Sequence, residues 1–220
     1  MQLYMSSQKF GDKIDRLKKW MKEHDNKILL IFNALDAKDE AKINFNIKED
    51  IKLLQEIGFN VKVVDLKEYF ENNKKLREDF IQYNACCIMG GNVFVLRQAM
   101  KYSGFDEFLH EKYSNNDFLY IGYSAGSCVL CKDLKIFDKV DEPIKFYGKN
   151  SVIYDGLNLI DYVFIPHYKS NYHKVNLIEE VVEKCKCENK NFKAVRDGEV
   201  IVDITVFHKK RGEVRLWHKE

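Results

Sequence analysis

The hydrophobic positions of this chain follow two alternating patterns. Continuous apolar runs, such as Ile28–Phe32 and Leu119–Ile121, are typical of strands buried on both faces of a parallel sheet. Amphipathic stretches such as Ile47–Ile57 lie between them and carry their apolar residues on one helical face. The predicted order is strand Gln2–Met5, helix Asp12–Lys22, strand Lys27–Phe32, helix Ile47–Ile57, strand Val61–Val64, helix Glu71–Gln82, strand Ala85–Met89, helices Phe94–Lys101 and Asp106–Lys112, and strand Phe118–Ile121.

This order predicts one α/β domain over residues 1–220, with a doubly wound, mostly parallel sheet and helices on both faces. Asn46, with Glu49 three residues later, is a candidate N-cap for the second helix. The polar segment Asp133–Asn158 interrupts the alternation, and a strand then resumes at Tyr162–Ile165. The turn signals Asp197-Gly198 and Arg211-Gly212 lie between alternating runs and predict a C-terminal antiparallel hairpin extension.

Composition excludes several classes of function. The 220 residues include 36 Lys+Arg and 34 Asp+Glu, a net charge of +2, and the interleaved signs argue against a nucleic-acid partner. No apolar run approaches the roughly 18 residues of a membrane span, and no signal-peptide pattern is present. We therefore expect a soluble cytoplasmic protein, monomeric or homodimeric, without a membrane partner. The phosphate-binding patterns Gly-x-Gly-x-x-Gly and Gly-Lys-Ser/Thr are missing, and we expect no cofactor.

The cysteines of the chain favour a structural role. In a cytosolic protein of this size they are expected to be reduced thiols. The spacing Cys128-x-x-Cys131 resembles half of a zinc site, but Cys185-Lys-Cys187 has the wrong spacing for the other half. We expect no metal.

The main candidate for chemistry is Gly122-Tyr123-Ser124-Ala125-Gly126, which follows the apolar run 118–121 and precedes a predicted helix. This strand–turn–helix layout is that of a nucleophile elbow, in which small residues leave the serine hydroxyl exposed. The helix would aim its free N–H groups at an oxyanion formed by attack on a carbonyl. The sequence therefore indicates acyl transfer at Ser124.

A second glycine-containing turn, Met89-Gly90-Gly91-Asn92, follows the predicted strand Ala85–Met89. In a doubly wound sheet this turn would lie at the carboxyl end of its strand, where ligands bind. An N–H of Gly91 or Gly90 could then join that of Ala125 as an oxyanion hole.

A serine nucleophile needs a base, and His167 is the best candidate because it ends a predicted strand 43 residues after Ser124. The base in turn needs a carboxylate that fixes its tautomer. The residues alone leave the choice open among the acids between these two positions: Asp133, Asp138, Asp141, Glu142, Asp155 and Asp161.

Three motifs in this order make the chain resemble the peptidase E family of serine peptidases, or aspartyl dipeptidases, which share the fold of class I glutamine amidotransferases. They are Ile88–Leu96, Tyr120–Ser127 and Ile165–Tyr168, and the resemblance extends roughly from Leu3 to Phe207.

The resemblance implies that Ser124 is the nucleophile, His167 the base, and Gly91 and Ala125 the oxyanion donors. Alignment on Pro143 implies that the acid is Asp141, with Glu142 as runner-up. It also implies a short peptide substrate with N-terminal aspartate, for which Lys169 is a candidate cation.

Two other classes remain open at this stage. An α/β-hydrolase esterase also uses Gly-x-Ser-x-Gly, although the HGGG-type motif of such enzymes is missing. A catalytically inactive binding module could retain the same fold.

Overall fold

The computed structural model describes residues 1–114, 117–148 and 151–204, and its described strands form two sheets. The strands are β1 (Gln2–Ser6), β2 (Lys27–Ile31), β3 (Asn60–Val64), β4 (Ala85–Ile88), β5 (Leu119–Tyr123), β6 (Val163–Ile165), β7 (Phe192–Ala194) and β8 (Val200–Ile204). The larger sheet has the order β3-β2-β4-β5-β1-β8, while β6 and β7 pair separately. All pairings are parallel except that of β8 with β1.

Helices cover both faces of the larger sheet. They are α1 (Ile14–Glu23), α2 (Glu40–Ile57), α3 (Asn73–Phe80), α4 (Val93–Ser103), α5 (Phe105–Tyr113), α6 (Ala125–Cys128) and α7 (Val175–Cys187). In β2, Ile28 and Leu30 belong to an apolar core that includes residues of α1 and α2. Leu29 and Ile31 belong to a second core, which includes residues of α3, α4, α5 and α7. Burial on both faces explains the continuous apolar strands and confirms the predicted fold class.

Helix α2 begins earlier than the sequence pattern predicts. Its N-cap is Asp39, whose side chain accepts a hydrogen bond from the Lys42 amide. Asn46, the predicted cap, lies within the helix and donates its side-chain amide to the Lys42 carbonyl. The prediction at Asn46 was wrong because an earlier carboxylate already satisfies the free amides of the first turn.

The C-terminal antiparallel pairing is confirmed, but its partner differs from a simple hairpin. The turn at Asp197-Gly198 separates β7 from β8, yet β7 pairs with β6 and β8 pairs with β1. This turn therefore connects two sheets. The second hairpin signal, Arg211-Gly212, lies outside the described residues.

The polar segment after α6 contains little regular structure, as predicted. Its described residues include a 3-10 turn, Lys135–Phe137, and a bridge between Asp133 and Asp155. Further along the chain, the short strand β6 brings the segment beginning at Pro166 beside the larger sheet.

In the described part of the chain, no helix combines the length and apolar character needed to cross a membrane.

The two cysteines that follow Ser124 lie in the protein interior. Cys128 and Cys131 are buried, and burial raises the pKa of both thiols. The Sγ of Cys131 accepts a hydrogen bond from the Phe164 amide, which ties the segment after α6 to β6.

Candidate active site

Ser124 occupies a strained turn between β5 and the single helical turn α6. Its backbone has φ 51° and ψ −118°, a region that residues with a side chain rarely adopt. A Cβ on Gly126 would lie 2.2 Å from the Ile88 carbonyl oxygen, and one on Gly122 would lie 2.5 Å from the Gly126 oxygen. Both positions therefore require glycine. Because α6 has only four residues, it cannot supply the dipole of a long helix to an oxyanion at Ser124. The hydrogen-bond donor beside Ser124 is instead the single Ala125 amide.

His167 lies directly against the serine. Its Nε2 is 3.1 Å from Ser124 Oγ, and the residue is buried, as expected for a group that follows the buried end of β6. The Tyr172 ring stacks on the imidazole with centroids 4.2 Å apart. The His167 amide donates a 2.7 Å hydrogen bond to Ser7 Oγ, which fixes the backbone of a residue with φ 61°. The Tyr172 ring therefore fixes the plane of the imidazole, and Ser7 fixes the backbone that carries it.

The carboxylate at the far side of the imidazole belongs to Asp197, a residue that the sequence reading did not consider for this role. Its Oδ1 lies 2.7 Å from His167 Nδ1 and accepts a 2.6 Å hydrogen bond from Ser7 Oγ. The Asp197 amide donates to Ser170 Oγ at 2.7 Å. The contacts form a continuous line from Ser124 through His167 to Asp197, and the geometry matches the orienting carboxylate of a serine hydrolase.

Asp141 and Glu142, assigned to this role by resemblance, lie elsewhere. Asp141 Oδ2 accepts a 2.8 Å hydrogen bond from the Val93 amide at the start of α4. Glu142 has an exposed side chain, and its carbonyl accepts from the Asn92 side chain at 2.8 Å. The loop that carries both acids is thus fastened to α4, which prevents the expected contact with the His167 ring. The prediction that one of these two acids contacts His167 is corrected, because Asp197 occupies that place.

Backbone amides of two turns lie beside Ser124. A Cβ on Gly90 would meet the Ser124 Cβ at 3.0 Å, so the two turns touch. The Tyr123 ring also lies against Gly90, and its hydroxyl donates to Asp50. In the described part of the chain, no internal acceptor is present for the amides of Gly91 and Ala125. These two amides are therefore the available donors for an oxyanion.

Gly91 has a conformation that other residues would not adopt. Its φ is 152°, and a Cβ there would lie 2.2 Å from the Ala34 carbonyl oxygen. That oxygen accepts a 2.8 Å hydrogen bond from the Asn92 amide, and the Asn92 side chain caps α4 through Phe94 and Val95. The hydrogen bonds of Asn92 to Ala34 and to the start of α4 therefore fix the turn and the direction of the Gly91 amide.

A cleft of about 690 Å³ opens above Ser124 and His167. Four lysines contribute to its wall: Lys9, Lys38, Lys42 and Lys174. Lys169, the predicted cation, is exposed and lies with its ammonium group 5.2 Å from the centroid of the Tyr168 ring. It is not among the residues that line this cleft. The cations available to a bound molecule are thus different from the predicted one.

A much smaller cavity, of about 20 Å³, adjoins Ser124 on another side. Most of its wall is apolar and comes from α4, α6, α7 and the segment 137–140. Asp141 supplies a carboxylate to both this cavity and the cleft. Burial raises the pKa of Asp141, while the Val93 amide, Lys174 and Lys38 oppose that shift.

Comparison with known proteins assigns the family. The model of peptidase family S51 matches residues 3–204. The chain belongs to this family. Peptidase family S51 is a family of serine-type peptidases, and the strained Ser124 turn and its contact with His167 are consistent with that class.

Relatives of this S51 chain are named as peptidases. It is 30% identical over 136 residues to an uncharacterized peptidase of Listeria monocytogenes, an alignment covering 61% of this chain and 63% of that protein. A Listeria innocua uncharacterized peptidase is 27% identical, with 76% and 81% covered. Peptidase E of a Nostoc species is 32% identical, with 53% of this chain and 43% of that protein covered.

Solved structures share the fold of this S51 chain. A crystal structure of a Listeria monocytogenes protein assigned to peptidase E has a TM-score of 0.74 at 21% identity, with 100% of this chain and 98% of that chain covered. A peptidase from an acI-B1 Actinobacterium has a TM-score of 0.63 at 13% identity, with 98% and 93% covered.

The sequence contained a signal for Asp197, but it was interpreted as a turn. Asp197-Gly198 is a common turn pair, and only the pairing of β8 with β1 brings that turn to the sheet edge that carries Ser124. Ser7, which directly follows β1, lies at the same edge because β1 is parallel to β5. Such neighbours follow from strand order rather than from any local pattern.

Proposed function

We propose that this S51 protein is a hydrolase of short peptides that acts through Ser124, His167 and Asp197. The observation that carries the proposal is the line of contacts from Ser124 Oγ to His167 Nε2 at 3.1 Å and from His167 Nδ1 to Asp197 Oδ1 at 2.7 Å. A serine activated by a histidine, which is itself oriented by a carboxylate, is the arrangement that makes a hydroxyl nucleophilic at neutral pH.

The first half of the reaction forms an acyl-enzyme. His167 Nε2 accepts the proton of Ser124 Oγ as this oxygen bonds to the peptide carbonyl carbon. The carbonyl oxygen becomes an oxyanion and receives hydrogen bonds from the amides of Gly91 and Ala125. When the tetrahedral intermediate collapses, the C–N bond breaks and the imidazolium gives its proton to the leaving amine.

The second half repeats these steps with water. His167 takes a proton from water, whose oxygen attacks the ester carbon, and Ser124 leaves with the proton returned by the imidazolium. Throughout, Asp197 stabilises the positive imidazolium and keeps Nδ1 protonated. Ser7 supports this arrangement because its hydroxyl donates to Asp197 while its oxygen accepts the His167 amide.

Short substrates fit this site best. The segment 137–142 contributes to the walls of both cavities beside Ser124, which restricts the space for a long polypeptide on that side. We further propose a preference for N-terminal aspartate. Lys38 and Lys174 line the cleft and act on the charge of Asp141 from a distance, so a substrate carboxylate in the cleft would meet positive potential.

The test begins with the nucleophile. A fluorophosphonate reagent should form an adduct on Ser124, and mass mapping of the labelled peptide locates it. An Ser124→Ala variant provides the blank. Labelling of wild type at another serine, or none at all, contradicts the mechanism.

The substrate class is tested with a dipeptide panel in which only the first residue varies. Asp-Leu should be hydrolysed faster than Ala-Leu and Glu-Leu, and Ser124→Ala should hydrolyse none of them. Equal rates for Asp-Leu and Ala-Leu would remove the aspartate preference but keep the peptidase. Hydrolysis of aryl esters without any dipeptide turnover would indicate an esterase instead.

A further inference from the structure

A buried carboxylate beneath the cleft takes no part in the proposed relay. Asp50 lies on α2 with its side chain completely buried, and it is not among the residues that line the cleft. Its Oδ1 pairs with Lys9 Nζ at 2.5 Å, and its Oδ2 accepts a 2.5 Å hydrogen bond from the Tyr123 hydroxyl. A buried charge is costly without such partners. Asp50 therefore does not touch a substrate in the cleft, but it can act on the reaction through its two partners, both of which line the cleft.

Tyr123 connects this carboxylate to the turn that supplies an oxyanion donor. The residue directly precedes Ser124, and its ring lies against Gly90, where a Cβ would be 3.0 Å from the ring atom Cε2. Gly90 in turn precedes Gly91, whose amide is a proposed donor. The hydrogen bond from the Tyr123 hydroxyl to Asp50 fixes the tilt of the ring. The position of the Gly90 turn relative to Ser124 therefore depends on Asp50.

Lys9 connects the same carboxylate to the acid end of the relay. It lies two residues after Ser7, which bonds both the acid and the base. The Lys9 backbone has φ 50°, a left-handed conformation that residues with a side chain rarely adopt, and its carbonyl accepts a hydrogen bond from Ser6 Oγ. The Lys9 ammonium group is held by the ion pair with Asp50. This ion pair therefore fixes the loop that carries Ser7.

We propose that Asp50 is a positioning residue for the hydrolysis at Ser124. Through Tyr123 it sets the distance between Ser124 and the oxyanion donor, and through Lys9 it holds the loop of Ser7. One buried carboxylate then ties together the segments that follow β1, β4 and β5. This inference rests on the proposed peptidase function. Because the oxyanion and the imidazolium form only during the reaction, loss of Asp50 should lower kcat and leave KM unchanged.

The first experiment is the variant Asp50→Asn. An amide has one acceptor oxygen and one donor group, so it can satisfy Tyr123 or Lys9 but not both. The kcat for Asp-Leu should fall by about 10- to 100-fold, the range expected for hydrogen bonds to a charged group, with KM close to wild type. The rate of fluorophosphonate labelling at Ser124 should fall by a similar factor, because the phosphoryl oxygen of the reagent takes the place of the oxyanion.

The matched control is Asp106→Asn. Asp106 is a buried carboxylate of α5 that pairs with Arg97 at 3.1 Å, and neither residue lines the two cavities beside Ser124. This variant also loses a buried ion pair, so its melting temperature should fall in the same way while its kcat and labelling rate stay at the wild-type value. Equal losses of kcat in Asp50→Asn and Asp106→Asn would overturn the proposal, since they would reflect destabilisation alone.

A milder variant, Tyr123→Phe, decides the question if Asp50→Asn does not fold. It keeps the ring against Gly90 and the ion pair of Asp50 with Lys9, and it removes only the hydroxyl. Its kcat should fall by about tenfold at unchanged KM. Added to Asp50→Asn, the same change should have little further effect, because the two residues act through one hydrogen bond. A wild-type kcat in Tyr123→Phe, or a rise in KM alone, would contradict the positioning role.

The labelling rate separates this inference from the peptidase function. If wild type hydrolyses no dipeptide, yet Ser124 is labelled quickly in wild type and slowly in both variants, the substrate class is wrong and Asp50 keeps its role. If Asp-Leu is hydrolysed and both variants are labelled at the wild-type rate, the peptidase stands and the role of Asp50 is rejected. Wild type that is not labelled at Ser124 would reject both.

Discussion

The two ends of the Ser124–His167–Asp197 line are encoded differently in the chain. At the serine end, the nucleophile, its flanking glycines and the Ala125 amide all lie within Gly122–Gly126. At the acid end, Ser7, His167 and Asp197 come from three segments, with Ser7 160 residues from His167 and His167 30 residues from Asp197. A local motif can specify a strained turn, but a carboxylate that only completes a hydrogen-bond line can come from any segment that the strand order brings there.

The largest expected effect is at the contact between the two ends, Ser124 with His167. Ser124→Ala and His167→Ala should each lower kcat by about 10⁶-fold, and the double variant should be about as slow as either one, because members of one catalytic unit are not additive. Steady-state rates on one dipeptide, with circular dichroism as the folding control, check this. A wild-type rate in Ser124→Ala, or losses that multiply in the double variant, would show that the two residues do not act together.

The next effect decides between the two acids. Asp197→Asn should reduce kcat by about 10⁴-fold, because the amide favours the wrong imidazole tautomer. Asp141→Asn should leave kcat on succinyl p-nitroanilide close to wild type, since Asp141 contacts Val93 and not the imidazole. If Asp141→Asn is the crippled variant with this substrate while Asp197→Asn is active, the acid end is assigned to the wrong residue.

A smaller effect tests how the acid end is held. Ser7→Ala removes the hydroxyl shared by Asp197 and the His167 amide, so kcat should fall by about tenfold or more with little change in KM, given roughly 1.5–3 kcal/mol for a hydrogen bond to a charged group. Ser103→Ala is the matched control because this buried serine donates to the Ala99 and Met100 carbonyls and accepts from the Phe105 amide, bonds that involve no residue of the Ser124–His167–Asp197 line. A rise in KM at constant kcat would instead place Ser7 in substrate binding.

The smallest effect concerns stability at Asp141. Burial raises its pKa above 3.8, so the folded protein holds this proton more tightly than the unfolded chain. The wild type should therefore lose stability as pH rises from about 3.8 through the folded pKa, and Asp141→Asn should escape that loss. Thermal unfolding at several pH values should show the variant gaining on wild type over that window and then keeping a constant difference. A difference that is the same at every pH would contradict the shift.

These contrasts explain how much of the molecule the sequence could predict. The alternation of apolar runs and amphipathic stretches was enough to predict the sheet. Ser124, His167 and the two glycine turns could be chosen as candidates because each has a local signature, and the structure brings Ser124 and His167 into contact. Asp197 was missed since its Asp-Gly pair has an equally good interpretation as a turn. The predicted start of helix α2 was too late because the Asp39 cap precedes the apolar stripe by which the helix is recognised. Lys169 was misplaced because a position two residues after His167 does not determine where its side chain points.

The position of Asp197 between two sheets links catalysis to the opening of one strand. This residue precedes β8, which pairs with β1 on one side only in the described part of the chain, whereas Ser124 follows β5 in the interior of the sheet. Strands at a sheet margin open more easily than interior ones, at free energies below that of global unfolding. On warming, the carboxylate should therefore leave the imidazole while the serine turn is still intact, and amide hydrogens of β8 should exchange before those of β5. The temperature at which activity is lost would then be determined by the stability of this edge strand rather than by that of the core.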